Sequence, residues 1–264
     1  MAMTKRSLVV AVLTFLAIYP AAGQNAPVHV LASNGVKAVI DELKPRAEKA
    51  IGRPLAIEFG TSSSIKTRIE GGEAFDIAIL TSDVIEDLAK AGKIAAGTRT
   101  EIARCGIGIG VRAGAAKPDI KTVDALKKTL LASKSITYAQ EGASRTYILQ
   151  MEDKLGIADA MKTKTILEKN SVGSNARVAE GSAEMIMTLV SEILPAPGVQ
   201  LVGPLPADVQ HYVGFEAGIG ASSENTEDGK ALLKFFANSA IAPTLKAKGM
   251  EPALRRPITA SPKL

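Results

Sequence analysis

Five times along this chain a short apolar run ends in a polar turn and gives way to a helical pattern. That alternation constrains the fold more than any other feature. Val28–Ala32 ends in Ser33-Asn34-Gly35, after which Val36, Val39, Ile40 and Leu43 fall at helical spacing. Leu55–Phe59 ends in Gly60-Thr61-Ser62-Ser63-Ser64 before a helix over Ile65–Glu70. Phe75–Leu80 ends in Thr81-Ser82-Asp83 and a helix reaching about Gly92. Three such units in succession predict a parallel sheet covered by helices, an α/β architecture. The pattern resumes at Ser135–Tyr138, with Gln140–Arg145 as the turn and Tyr147–Leu155 as the helix. Lys164–Leu167 and Ser171–Glu180 repeat it, with Gly173-Ser174-Asn175 expected as the cap. In sheets of this kind ligands sit beyond the carboxyl ends of the strands, where these turns converge.

The turns carry a chemistry. The first backbone N–H groups of a helix have no intrahelical partner, and the helix dipole adds positive potential there. An oxyanion or carboxylate is held at such a place by N–H and O–H donors without a metal. The plain alternative is that each serine is an ordinary N-cap. Gly106, Gly108 and Gly110 alternate with Ile and Val inside Ile102–Val111. They lack the strand-then-helix context of a nucleotide loop, so the run reads as a long strand with close backbone approach. With Val209–Ile219 it is expected to cross between two lobes. Lobe one would hold residues 24–104 plus 208–264, and lobe two residues 105–207.

Composition narrows the function. Lys5-Arg6, the 13-residue apolar run Ser7–Tyr19 and Pro20-Ala21-Ala22-Gly23 read as a cleaved export leader over residues 1–23. The run is too short for a bilayer span, which takes about 20 residues. The net charge of +5 falls to +3 once the leader's two cations are removed, and the charges are interspersed. That pattern gives no nucleic-acid footprint. A single cysteine, Cys105, excludes an internal disulfide and sits in an apolar run as a small hydrophobe. His29 and His211 lie far apart in extended runs, which fits neither a metal site nor an oriented base for a serine nucleophile. No cofactor is expected.

The order of these motifs, with Glu70–Ile77, Ala89–Ile94, Ala179–Glu184 and Ala196–Val199, resembles the periplasmic molybdate-binding and related extracellular solute-binding proteins. The resemblance implies a two-lobed type II periplasmic-binding fold, each lobe a mixed, mainly parallel sheet flanked by helices. It implies a monomer that holds a small oxyanion in the cleft and delivers it to the membrane permease of an ABC importer. The matching positions are Ser33, Asn34, Ser62, Ser63 and Ser64 in lobe one, and Gly142, Ser144, Arg145 and Asn175 in lobe two. Two departures point away from molybdate. Leu189 stands where those binders carry a tyrosine, and Glu141 and Arg145 are charges a neutral-donor site does not need. Arg145 suits a carboxylate, which a guanidinium pairs bidentately. Ser191–Pro195 and Val202–Ala207 resemble a branch that includes aconitate isomerases. That branch implies an alternative in which Glu141, Tyr138 or Lys37 moves a proton along an allylic acid.

Overall fold

In the computed structural model, which describes residues 26–253, all five strand–turn–helix units form. The leader expected at residues 1–23 lies outside the described residues, as do residues 254–264. The first strand, β1 (Val28–Ser33), passes through a 3-10 turn (Asn34–Val36) into α1 (Lys37–Ile51). Then come β2 (Leu55–Gly60) and α2 (Ser62–Glu70), β3 (Ile77–Thr81) and α3 (Ser82–Lys90), and the long β4 (Thr100–Arg112). The middle of the chain supplies α4 (Val123–Ala132), β5 (Ile136–Ala139), α5 (Arg145–Lys154), α6 (Ala158–Lys162), β6 (Thr165–Glu168) and α7 (Ser171–Glu180). It continues through β7 (Met185–Leu189), α8 (Val190–Ile193) and β8 (Val199–Pro204). The chain closes with β9 (Tyr212–Ile219), α9 (Thr226–Phe236), α10 (Ala242–Ala247) and β10 (Met250–Pro252).

The strands follow one path, β2-β1-β3-β9-β4-β7-β5-β6, with β8 and β10 also on β4. The outer strands of each half are parallel, and every antiparallel pair involves β4 or β9. This is the layered α/β protein the alternating pattern predicts. Thr100–Gly106 of β4 pairs with β9, whereas Ile107–Val111 pairs with β7, so one strand serves both halves. The alternating glycines have a steric cause here. A Cβ on Gly108 would meet the Gly203 carbonyl and Val190 at 2.9 Å, and one on Gly110 would meet Ile186 and Ile193 at 2.9 Å. That is the close approach expected of glycines within a strand.

The second crossing differs from expectation. Val209–Ile219 is not one crossing strand, because β9 starts at Tyr212 and pairs only with β3 and the first part of β4. The chain crosses in a 3-10 turn over Ala207–Val209, after Pro204 and Pro206, whose rings remove the donors a strand would need. Gln210 replaces the missing ladder with its side chain. Its amide accepts from the Ile107 N–H and donates to the Ile107 carbonyl, both at 2.9 Å.

Candidate functional site in the interlobe cleft

Local capping decides which hydroxyls are free. Thr61, not one of the three serines, caps α2 by accepting the Ser64 N–H at 3.1 Å. The Ser64 hydroxyl donates back to the Thr61 carbonyl at 2.9 Å. Ser62 is buried and its oxygen accepts the Thr81 N–H at 3.1 Å, which ties α2 to the end of β3. Ser63 is exposed and carries the unengaged hydroxyl of the three. Ser33 is buried and accepts the Gly35 N–H at 3.3 Å. In the other half, α7 starts at Ser171 and is capped by Asn170, whose side chain accepts the Gly173 N–H at 3.1 Å. The expected cap at Gly173-Ser174-Asn175 therefore lies inside the helix. Gly142 is a tight-turn glycine, since a Cβ there would sit 2.9 Å from that of Ala139. Ser144 is buried at the start of α5 and makes no capping bond.

Polar contacts join the two halves at several points among the described residues, Lys154 to the Asp208 carbonyl at 2.9 Å being one. Thr61 Oγ1 donates to Glu141 at 3.4 Å, and Ser191 Oγ donates to the Gly35 carbonyl at 2.7 Å. Beside the Ser191 contact lies a pocket of about 380 Å³. Asn34, Lys37 and Asp41 line it from the first half, and Ser171, Asn175 and Glu192 from the second. Of the residues expected from sequence, it thus unites Asn34 and Asn175 across the cleft, while Ser33, Ser62, Ser63, Ser64, Gly142, Ser144 and Arg145 do not line it. Lys37 pairs with Asp41 at 2.7 Å and stands 4.3 Å over the Phe59 ring. Asn175 donates to the carbonyls of Ser171 (3.0 Å) and Glu192 (3.1 Å), which leaves its buried Oδ1 without a partner.

Glu192 is the residue the sequence did not reveal. It lies on the single-turn α8, which has no periodicity to flag it. Its carboxyl accepts from Ser171 Oγ at 2.8 Å and from Thr188 Oγ1 at 2.6 Å. Burial pushes its pKa above the ordinary carboxylate range, and those two hydroxyls oppose the shift only in part. No ion pair involves it among the described residues.

Arg145 faces elsewhere. It lines a separate pocket of about 720 Å³ with Tyr138, Leu149, Glu152 and Lys162, along α5, β5 and β6 of the second half. Its buried Nε has no partner. Tyr138 lies in that same pocket, and desolvation raises its pKa. Arg68 and Lys66 are held on the outer surface, Arg68 by Glu58 and Glu73, Lys66 by Asp87 at 2.6 Å. His29 lies beside Glu58 and Glu73, where the Arg68 guanidinium already supplies the positive charge. His211 stacks on Tyr147 with ring centroids 3.3 Å apart, and burial lowers its pKa. Cys105 is buried, with its pKa pushed up to about 11 by desolvation.

Two α/β halves sharing a long strand, with a pocket between them whose polar side chains sit among Val172, Pro195 and Pro197, have the plan of a two-lobed solute-binding protein. Residues 28–251 match the bacterial extracellular solute-binding protein family, and the chain belongs to it. It is 29% identical to an aconitate isomerase from a Pseudomonas species, over 86% of this chain and 88% of that protein. It is 24% identical to a molybdate-binding protein of Azotobacter vinelandii, over 86% and 91% of the two chains. The solved periplasmic molybdate-binding protein of Azotobacter vinelandii superposes with a TM-score of 0.73 at 17% identity, over 86% of this chain and all of that one. That superposition speaks to the fold alone.

Proposed function

We propose that this protein is a periplasmic receptor that binds a small organic polycarboxylate between its lobes and delivers it to an ABC importer. The observation that carries this reading is the pairing, in one interlobe pocket, of Lys37 and Asn34 with the cation-free carboxyl of Glu192. A lysine suits one carboxylate of the ligand. A protonated carboxyl suits a second one as a hydrogen-bond donor. Buried Leu189 offers a tetrahedral dianion no hydroxyl. The lobes are assigned as residues 24–104 plus 208–264 and 105–207, turning about β4 and the Gln210 crossing, with Thr61 at the α2 N-terminus meeting Glu141 across them.

Lys37→Ala tests the assignment. Losing a charge-assisted hydrogen bond of about 1.5–3 kcal/mol should weaken citrate or trans-aconitate about 10- to 100-fold by titration calorimetry. Unchanged affinity for every polycarboxylate that binds would remove this pocket from the reading. A second reading rests on the aconitate isomerase relative and on the same carboxyl. An allylic isomerisation needs one acid/base beside the bound acid, and Glu192 is in the pocket whereas Tyr138 is not. Incubation with trans-aconitate, followed by chromatography for the cis isomer, decides between receptor and enzyme.

A further inference from the structure

A carboxyl that lines an interlobe pocket and makes no ion pair among the described residues presents a conflict once a second anionic group arrives beside it. Glu192 is held by two neutral hydroxyls, from Ser171 at 2.8 Å and Thr188 at 2.6 Å. The elements packed on α8 bring it no free positive charge. From β4 comes Cys105, whose thiol stays protonated well above neutral pH. From α1, across the pocket, come Lys37, the cation assigned above to one carboxylate of the ligand, and Asp41, which pairs with it at 2.7 Å and adds a further negative charge. Lys248 precedes Gly249, which packs on Val190, and is taken by Glu42 at 2.8 Å. The strands β7 and β8 and the turn Asn34–Val36 contain no charged residue. From α7, Ser171 and Asn175 face the pocket, and the cation of that helix, Arg177, is taken by Glu168.

A ligand carboxylate entering here would face a second negative charge in a half-open pocket. Two carboxylates sharing such a site cannot both stay ionised without large cost, and the pair retains a proton. We propose that Glu192 carries a proton when the anion is bound, so that the protein takes up a proton with its ligand and binds it more tightly as the pH falls. This rests on the reading of the pocket as a polycarboxylate site. The proton supplies a donor between Glu192 and the incoming carboxylate, where two acceptors would otherwise meet. Burial raises the pKa of the free carboxyl above the ordinary range and the anion raises it further, so the proton is taken up at pH values between the free and the bound pKa.

Titration calorimetry with trans-aconitate between pH 6 and 8, in two buffers of different ionisation enthalpy, tests this for wild type and Glu192→Gln. Gln keeps the shape of the protonated side chain and cannot titrate. Wild type should take up close to one proton more per ligand than the variant at the upper end of this range. Its affinity should fall up to tenfold per pH unit there relative to the variant, which also cancels the ligand's own ionisation. Equal proton uptake by the two proteins, or parallel pH dependences, would overturn the proposal. A carboxyl ¹³C titration without and with ligand tests the same group independently. The resonance lost in Glu192→Gln should titrate above the ordinary carboxylate range, as burial requires, and should move higher still when trans-aconitate is added, whereas no upward move on binding would overturn the proposal. If trans-aconitate and other polycarboxylates do not bind, the functional reading fails while the ligand-free titration still decides the state of Glu192. Should Glu192→Gln not fold, zero uptake by wild type on binding would refute the proposal alone.

Discussion

Glu152 offers a test of the physical chemistry that does not depend on any ligand. It is 2% exposed, and one carboxyl oxygen has no hydrogen-bond partner. Desolvation, with a smaller contribution from Asp153, raises its pKa from 4.5 to about 7. The folded protein therefore holds this proton more tightly than the unfolded chain does. The stabilising effect is complete below the unfolded pKa and is lost as pH rises through the folded one. At about 1.4 kcal/mol per pH unit, the loss amounts to about 3 kcal/mol by pH 8. Glu152→Gln has no ionisation to oppose. For a chain of this length, about 2–4 °C per kcal/mol converts the difference into a melting-temperature gain of about 6–12 °C for the variant relative to its own offset at pH 4.5. Differential scanning fluorimetry of both proteins from pH 4.5 to 8 reads that slope. The constant offset absorbs any change in packing between Glu and Gln. A melting-temperature difference that stays flat across the range would refute the reasoning.

Other consequences follow from single contacts. Ser62→Ala leaves the Thr81 N–H buried without its acceptor, so it should cost about 1–3 kcal/mol in urea unfolding, whereas exposed Ser63→Ala should stay within about 0.5 kcal/mol. Gln210→Ala removes both side-chain bonds to Ile107, and native-state hydrogen exchange should show the Ile107 amide exchanging faster while β1 amides keep their protection. Cys105, buried with its pKa pushed up to about 11, should resist thiol reagents in the folded protein at pH 8 and react once unfolded.

The α/β layering was legible because it depends on local alternation. Apolar runs such as Phe75–Leu80 followed by Thr81-Ser82-Asp83 specify a strand, a turn and a helix wherever they occur. The glycines of β4 were legible for a similar reason, since a strand with no room for a Cβ shows it in its residues. The site was legible only in outline. Sequence marks a serine at a helix start but does not say whether its oxygen is spent, and Ser62, Ser64 and Ser33 spend theirs on neighbouring backbone. Arg145 stands at the expected helix start, yet its side chain lines the pocket along α5 with Glu152 rather than the cleft pocket. Glu192 was invisible because its environment is assembled by tertiary packing. Ser171 comes from α7 and Thr188 from the end of β7, 21 and 4 residues away in the chain.

The most direct test of the central reading is a thermal-shift comparison of the mature protein with citrate, cis- and trans-aconitate, sulfate, phosphate, molybdate and tungstate. A ligand at about a hundred times its dissociation constant stabilises by about 2.7 kcal/mol, a rise of several degrees. A polycarboxylate receptor should show that rise with at least one of the organic acids and none with the tetrahedral oxyanions. A rise with molybdate or tungstate alone would contradict the assignment.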